Sequence, residues 1–505
     1  MTVDARITIK SVDFPCLYPL PDLSGNGLQL AIYGTGVIAE HYVRQVRRRF
    51  GEDATRFFVN SSPASARYAG RPVFTPESPE VRRFNGYFLL ASIESAQVMH
   101  NRLASLGIPE ERLVHPLPPI CNPRIDDNIA GILEIFVAPA VACPAELEGL
   151  LERLRWYLPR HDPPTVAIQV APGFVPASPP PAGYRWIDAL PDRPPGPAAR
   201  SLLLVRTAEL LDQAYLEPWR SRLYCMDPTF CSTVESQTLA GLAMACLTLP
   251  GREELREQSR RNFTRLLSEV AGARAVYVLG TGPSVESLAR RSHRDHPAVV
   301  CNSLIRNGQL MEQLDTRVIV FGDPVFHLGW NDYATRFRED MLAAVEKHDC
   351  FVVTPEHAGP LLVAHYPQLA NRLIAMPSGD ELNIPAPERF FVKPSDNILT
   401  YLMLPLAAAL TQRVIVAGCD GKKPKDTGFW RHGANVQYGG YYDAVVATHP
   451  SFFRDRDYGQ YYAEHCRCVE EWLNYGRAQG RCFICATASV IPALAKLPGG
   501  QVDGG

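Results

Sequence analysis

Two clusters in the second half of the chain have residue types and spacings suited to group-transfer chemistry. The first is Gly280-Thr281-Gly282-Pro283-Ser284, directly after the apolar run Ala275 to Leu279. Gly280 and Gly282 let the backbone turn sharply and approach a ligand with no Cβ in the way, and Pro283 suits a first helical turn, where its missing N–H would be unpaired anyway. Ser284 and the N–H groups around it would then meet a phosphate or a sugar hydroxyl, because a helix N-terminus carries partial positive charge. Short glycine motifs of this kind also occur in plain strand–helix turns, where they serve only close packing. The second cluster is Gly418-Cys419-Asp420-Gly421, directly after the apolar run Arg413 to Ala417 and followed by Lys422 and Lys423. A lysine ammonium can stabilise the charge of a phosphate. Asp420 either orients Lys422 or a sugar hydroxyl, or caps the turn after its strand.

The elements that must position these residues are short apolar runs that end in polar or turn-forming residues. Ala298 to Cys301 ends at Asn302-Ser303, Arg317 to Phe321 at Gly322-Asp323-Pro324, Cys350 to Val353 at Thr354-Pro355, and Arg413 to Ala417 at Gly418-Cys419-Asp420. Read as parallel strands, these runs present small and polar side chains along one edge, the edge at which open α/β sheets bind ligands. Asp323 has two readings, a ligand contact or a turn residue, and the turn is the commoner fate. The run Leu399 to Leu410 is too short to span a membrane and reads as a buried helix.

Composition sets the frame. The chain has 505 residues with 46% hydrophobic and 21% charged residues, values typical of a globular protein of two or three domains. A formal net charge of −2 gives no global attraction to nucleic acid or to an anionic membrane, and Arg44, Arg47, Arg48 and Arg49 read as one solvated helix face. The 13 cysteines are mostly scattered through apolar runs. Cys482 and Cys485 are spaced CxxC but lie in a strand-like run, where residues three apart point to opposite faces and cannot share a metal. The thiols are expected to be reduced, and the protein to be cytoplasmic with no transmembrane segment.

Three blocks follow. Residues 28–135 open with Leu28 to Ala39, a strand, a Gly34-Thr35-Gly36 turn and a helix, and continue through the strands Arg56 to Asn60 and Gly86 to Ser92. The unit reads as a small Rossmann-like accessory domain whose glycine turn satisfies the dinucleotide fingerprint, but Asn60 stands where an acidic ribose ligand is expected. With Gly70-Arg-Pro-Val73, it resembles accessory domains found beside bacterial sugar-modifying enzymes, which implies a docking or regulatory role. Residues 136–262 are proline-rich, yet strand-like runs keep returning (Thr165 to Val170, Leu202 to Val205, Arg222 to Cys225), so an α/β layer is expected rather than a disordered linker. Residues 252–270 read as an amphipathic helix leading into the third block, 263–500.

The third block resembles glycosyltransferase family 42, the bacterial CMP-sialic-acid-dependent sialyltransferases. It is also similar to the related domain of motility accessory factors and 6-hydroxymethylpterin diphosphokinase-like proteins. The order of Gly280 to Ser284, Cys301-Asn302, Asn397 to Thr400 and Gly418-Cys-Asp420 carries the likeness. The resemblance implies a GT-A-like Rossmann sheet with no metal requirement and no cofactor beyond the CMP-sugar substrate. It assigns the donor to Gly280, Thr281, Gly282, Pro283, Ser284, Asn302, Asp323, Asn397, Thr400, Gly418, Asp420, Gly421 and Lys423. The family uses two tyrosines after the Gly-x-Asp motif to hold the departing phosphate. Here Lys422 and Lys423 come first, and Thr281 replaces the more usual Asn. The implied general base is a histidine in the later segment: His449, in the loop-like Ala447-Thr-His-Pro450, comes first, with His432 beside Trp430 and Arg431, and His465 in the helical Tyr461 to Val469, as the others. Tyr438, Tyr441, Tyr442, Phe452, Phe453, Tyr458, Tyr461 and Tyr462 would offer aromatic faces to an acceptor glycan or protein. The alternatives are diphosphate transfer from ATP to a pterin-like alcohol and a non-catalytic nucleotide-sugar-binding protein; a homo-oligomer is compatible with all of them.

Overall fold

The structure is a computed structural model. It describes residues 16–499 except 19, 22, 24–27, 64, 94, 118–119, 122–129, 159–162, 196–199, 208–209, 211–212, 227–239, 423–431, 434, 442 and 444–457. The protein is a multidomain, Rossmann-like α/β structure built on three mostly parallel sheets.

The first sheet contains β1 (Leu30–Tyr33), β2 (Thr55–Val59), β3 (Arg67–Tyr68), β4 (Arg71–Phe74), β5 (Tyr87–Leu90) and β6 (Leu113–Val114) in the order β3-β4-β2-β1-β5-β6. Only the β3–β4 pair is antiparallel. Helices α1 (Val37–Phe50) and α2 (Ala96–Ser105) follow β1 and β5. The second sheet contains β7 (Glu134–Val141), β8 (Thr165–Val170), β9 (Tyr184–Ile187), β10 (Ser201–Val205) and β11 (Leu223–Cys225) in the all-parallel order β9-β8-β7-β10-β11, with α3 (Pro144–Tyr157) after β7. The third contains β12 (Val276–Leu279), β13 (His293–Cys301), β14 (Leu314–Val320), β15 (Phe351–Pro355), β16 (Leu373–Met376), β17 (Arg413–Ala417) and β18 (Cys482–Cys485), all parallel, in the order β16-β15-β14-β13-β12-β17-β18. The divisions expected at 135/136 and 262/263 fall inside β7 and inside α4 (Leu249–Glu269), respectively.

All three sheets begin in the middle, wind outward to one side, and then return to wind to the other. Each therefore has a switch point beside its first strand: β1/β5, β7/β10 and β12/β17. The strands of the third sheet are Val- and Ile-rich and buried over most of their length, as expected when helices cover both faces. The edge strand β16 is shielded by α4, whose Asn262 Nδ2 donates to the carbonyls of Ala370 and Leu373 at 2.9 and 2.7 Å, while Ser259 Oγ accepts the Ala375 N–H at 3.1 Å. The apolar run 399–410 is a buried helix, with a π-helical stretch Leu399–Met403 running into α6 (Leu404–Leu410). Pro405 has no N–H to give the carbonyl four residues back, which accounts for the wider winding before it.

One apolar core joins the second and third sheets, running from Ile135, Phe136 and Leu203 to Tyr277, Leu279 and Phe321. Its polar counterpart lies where α3 ends. Trp156 Nε1 donates to the Leu328 carbonyl at 2.8 Å, and Tyr157 Oη accepts the Trp330 N–H at 3.1 Å. Arg338, on α5 (Asp332–His348), is 2% exposed, sits 4.1 Å from the Trp156 ring and donates to the carbonyls of His327 and Gly329. Among the described residues no helix is long and apolar enough to cross a membrane.

Candidate functional site

The third sheet's switch point brings together the two sequence clusters. β12 ends in Gly280-Thr281-Gly282 and β17, its neighbour, ends in Gly418-Cys419-Asp420. The two loops are zipped: Gly280 N–H donates to the Ala417 carbonyl at 2.9 Å and Gly282 N–H to the Gly418 carbonyl at 2.8 Å. A Cβ on Gly280 would lie 2.5 Å from the Gly418 oxygen, and one on Gly418 would lie 2.5 Å from the Gly280 oxygen. Gly418 also has φ +67°, which favours glycine. The close approach that these glycines permit is therefore between the two loops.

Asp420 completes the junction. Its Oδ2 accepts the Ser284 N–H at 2.9 Å and its Oδ1 accepts the Ser284 hydroxyl, at the start of the 3-10 helix Pro283–Arg290. A carboxylate of the protein thus stands at the N–H where the sequence led us to expect a phosphate. Asp420 caps this helix from the neighbouring loop rather than the turn after its own strand. The loop is held in turn by residues after β18: Gly418 N–H donates to Thr487 Oγ1 at 2.9 Å, Ser489 Oγ to the Cys419 carbonyl at 2.7 Å, and Val490 N–H to the Asp420 carbonyl at 2.7 Å. None of these three residues was singled out from the sequence, although Thr487 and Ser489 continue the pattern of polar residues at strand ends.

His432 reaches the glycine turn. Its Nδ1 lies 2.8 Å from Thr281 Oγ1, and the next residue, Gly433, donates its N–H to the Thr281 carbonyl at 2.9 Å. Burial pushes the imidazole down to about 4, so it is neutral near pH 7. His465, on α7 (Tyr458–Ala478), is 5% exposed and is pushed to about 4 by the same cause. Lys423 and His449 lie outside the described residues. Gly421, at φ +80°, would place a Cβ 2.9 Å from the Tyr462 hydroxyl. Burial raises the Tyr462 phenol to about 12, opposed in part by a hydrogen bond with the Lys422 backbone. A tyrosine therefore does reach the loop after β17, but it comes from α7.

Asn302 ends β13, the strand on the other side of β12. It has φ +50°, unusual for a residue with a Cβ, and its Oδ1 is buried with no hydrogen-bond partner among the described residues. Asp323 is used as a turn residue: its Oδ1 accepts the N–H groups of Val325 and Phe326 at 2.8 and 2.9 Å. Asn397 starts the π-helical stretch, with Oδ1 accepting the Leu399 N–H at 3.0 Å and Nδ2 directed to the Tyr461 hydroxyl at 3.3 Å. Thr400 Oγ1 lies 2.8 Å from Ser395 Oγ. Asn397 and Thr400 thus organise the helix start, and Ile398 beside them lies 3.4 Å from where a Cβ on Gly322 would stand.

No family model, curated protein or solved structure matches the chain.

Cys482, at the start of β18, is exposed, and Cys485, at its end, is buried. No group of three or more His, Cys, Asp or Glu positioned to hold a metal occurs among the described residues. In the first sheet, Asn60 is engaged within the protein: Nδ2 donates to Thr35 Oγ1 at 2.8 Å and Oδ1 accepts the Ser62 N–H at 2.9 Å. The side chain at the ribose position is thus turned to the glycine turn itself.

Proposed function

We propose that the third sheet binds a CMP-activated sugar at its β12/β17 switch point and transfers the sugar, a nonulosonic acid such as sialic acid, to a glycan or protein hydroxyl in the cytoplasm. The observation that carries this reading is Asn302. A strained backbone and a buried, unpartnered acceptor at the carboxyl end of a parallel strand beside the switch point suit a ligand that brings a hydrogen-bond donor. The amino group of cytosine or a ribose hydroxyl supplies one.

In the proposed reaction the acceptor oxygen attacks the anomeric carbon. Its proton passes to an imidazole, the bond from that carbon to the phosphate oxygen breaks, and CMP leaves with the electron pair. We assign the base to His449, because desolvation of the half-buried His432 and the buried His465 holds both far below the pH at which a base works best. The lysine pair at 422 and 423 would stabilise the departing phosphate.

Calorimetric titration tests the assignment. The wild type should bind CMP without added Mg²⁺. Asn302→Gly should weaken binding about tenfold, the worth of one hydrogen bond, while leaving the melting temperature equal or higher, because glycine relieves the left-handed backbone. Unchanged affinity in Asn302→Gly would remove Asn302 from the site, and absence of CMP binding by the wild type would overturn the donor. Binding of ATP only with Mg²⁺ would point to diphosphate transfer. The second reading, a protein that binds a nucleotide sugar without transferring it, is favoured by the low basicity of His432 and His465. It predicts CMP-sugar binding with no product, and no change in behaviour on His449→Ala.

A further inference from the structure

The first sheet carries a pair of imidazoles that none of the chemistry above uses. His100 lies in the second turn of α2, and His115 directly follows β6. His115 Nε2 and His100 Nδ1 are joined by a hydrogen bond of 2.9 Å, in which one ring donates its N–H to the other, with ring centroids 5.0 Å apart and planes tilted by 37°; a cation bound by both nitrogens would take the place of the shared proton. His115 is exposed and His100 half-buried. We propose that this pair is a surface binding site for a divalent transition-metal cation, with Cu²⁺ held most tightly.

Three considerations lead there. Imidazole nitrogen is a borderline donor suited to Cu²⁺, Ni²⁺ and Zn²⁺, and affinity for such a site rises to a maximum at Cu²⁺. With metal–nitrogen bonds of about 2.0–2.1 Å, a 2.9 Å separation of the nitrogens corresponds to about 90° at the metal. That is the angle between neighbouring ligands of a tetragonal ion, whereas a tetrahedral ion needs the nitrogens about 3.3 Å apart. The two donors are also fixed independently of each other: Leu103 anchors α2 and Leu113 anchors β6 in the same buried cluster. No third His, Cys, Asp or Glu completes a cluster among the described residues, so the remaining coordination positions would be filled by water. The pair sits near the carboxyl edge of the first sheet, and the proposal stands whether or not a CMP-sugar binds at the third sheet's switch point.

Titration of the full-length protein with Cu²⁺, followed by calorimetry and electron paramagnetic resonance at about neutral pH, tests it. The wild type should show a tetragonal spectrum with coupling to two nitrogens at one equivalent. Affinity should fall at least tenfold in either His100→Ala or His115→Ala, because each variant leaves a single anchored donor. The double variant should be little weaker than the singles. His115 is exposed and His100 half-buried, and their shared hydrogen bond is exposed, so melting temperatures should stay close to the wild type. Cu²⁺ affinity unchanged in both single variants, or a wild-type spectrum with one nitrogen, would overturn the site.

Discussion

Lowering the pH from about 7 to about 4.5 should destabilise the protein steeply, with the decline beginning in the range where histidine rather than carboxylate titrates. His327 and His465 are 3% and 5% exposed, and burial pushes both to about 4. At His327 the neighbouring Asp323 opposes this shift and the buried Arg338 adds to it. Their folded values lie below the unfolded value of about 6.5, so the unfolded chain takes up protons first. The stability tied to the neutral rings is complete above pH ~6.5 and is lost as pH falls toward the folded values, at about 3 kcal/mol for each ring. His357 and His432 shift in the same direction for the same reason. The carboxylates of Asp53, Glu77 and Glu312 are lowered by arginine or lysine partners, but those pairs are exposed and contribute little. Melting temperatures measured by circular dichroism at half-unit pH steps would check this. A curve that stays flat to pH 5, or that is unaltered when His465 is replaced by leucine, would contradict it.

Gly418→Ala should cost about 2–5 kcal/mol. The residue sits at φ +67°, which an alanine adopts at a cost of about 1–2 kcal/mol. Its Cβ would stand 2.5 Å from the Gly280 oxygen and 2.7 Å from Val285 Cβ, and forced repacking costs about 1–3 kcal/mol more. The opposing backbone cannot retreat easily, because Gly280 and Gly282 are hydrogen-bonded to the same loop and Asp420 ties that loop to Ser284. Urea denaturation gives the measurement, and Gly149→Ala supplies the contrast. Gly149 lies within α3 with nothing within 4 Å of an added Cβ, so alanine there should stabilise by about 0.5–1 kcal/mol. Equal effects at the two positions would show that the junction does not depend on close approach.

Much of the third sheet was legible because its strands are short apolar runs ended by Gly, Asn, Asp or Pro, a pattern set by burial on two faces and turning at one edge. The runs at 275–279, 350–355 and 413–417 lie where β12, β15 and β17 were found. β7 was missed because Glu134 and Pro139 interrupt its apolar character at the place where a block boundary was drawn. The meeting of Gly280 with Gly418 follows from strand order, which pairs β12 with β17 across more than a hundred residues and leaves no local trace in sequence. For the same reason the partner of Asp420 was open. Its carboxylate reads equally as a phosphate neighbour, a lysine partner or a cap, and only the pairing of the loops brings Ser284 to it. Asn302 was legible as a strand end, but its left-handed backbone was not, since asparagine tolerates both conformations.

The apolar core that runs without a break from β7 to β17 sets the units of cooperative unfolding. The buried clusters of the first sheet are confined to residues 20–113, whereas one cluster runs through the second sheet and one face of the third, the other face of the third having a cluster of its own. Loosening the second sheet should expose the third, and the two should melt as one calorimetric unit, with the first sheet giving an endotherm of its own. Since unfolding enthalpy scales with chain length, the larger endotherm should have about three to four times the area of the smaller. The proline-rich stretch then acts, in thermodynamic terms, as part of the body that holds the switch point, and a protease that cuts within it should release the carboxyl-terminal sheet in a form that no longer refolds alone.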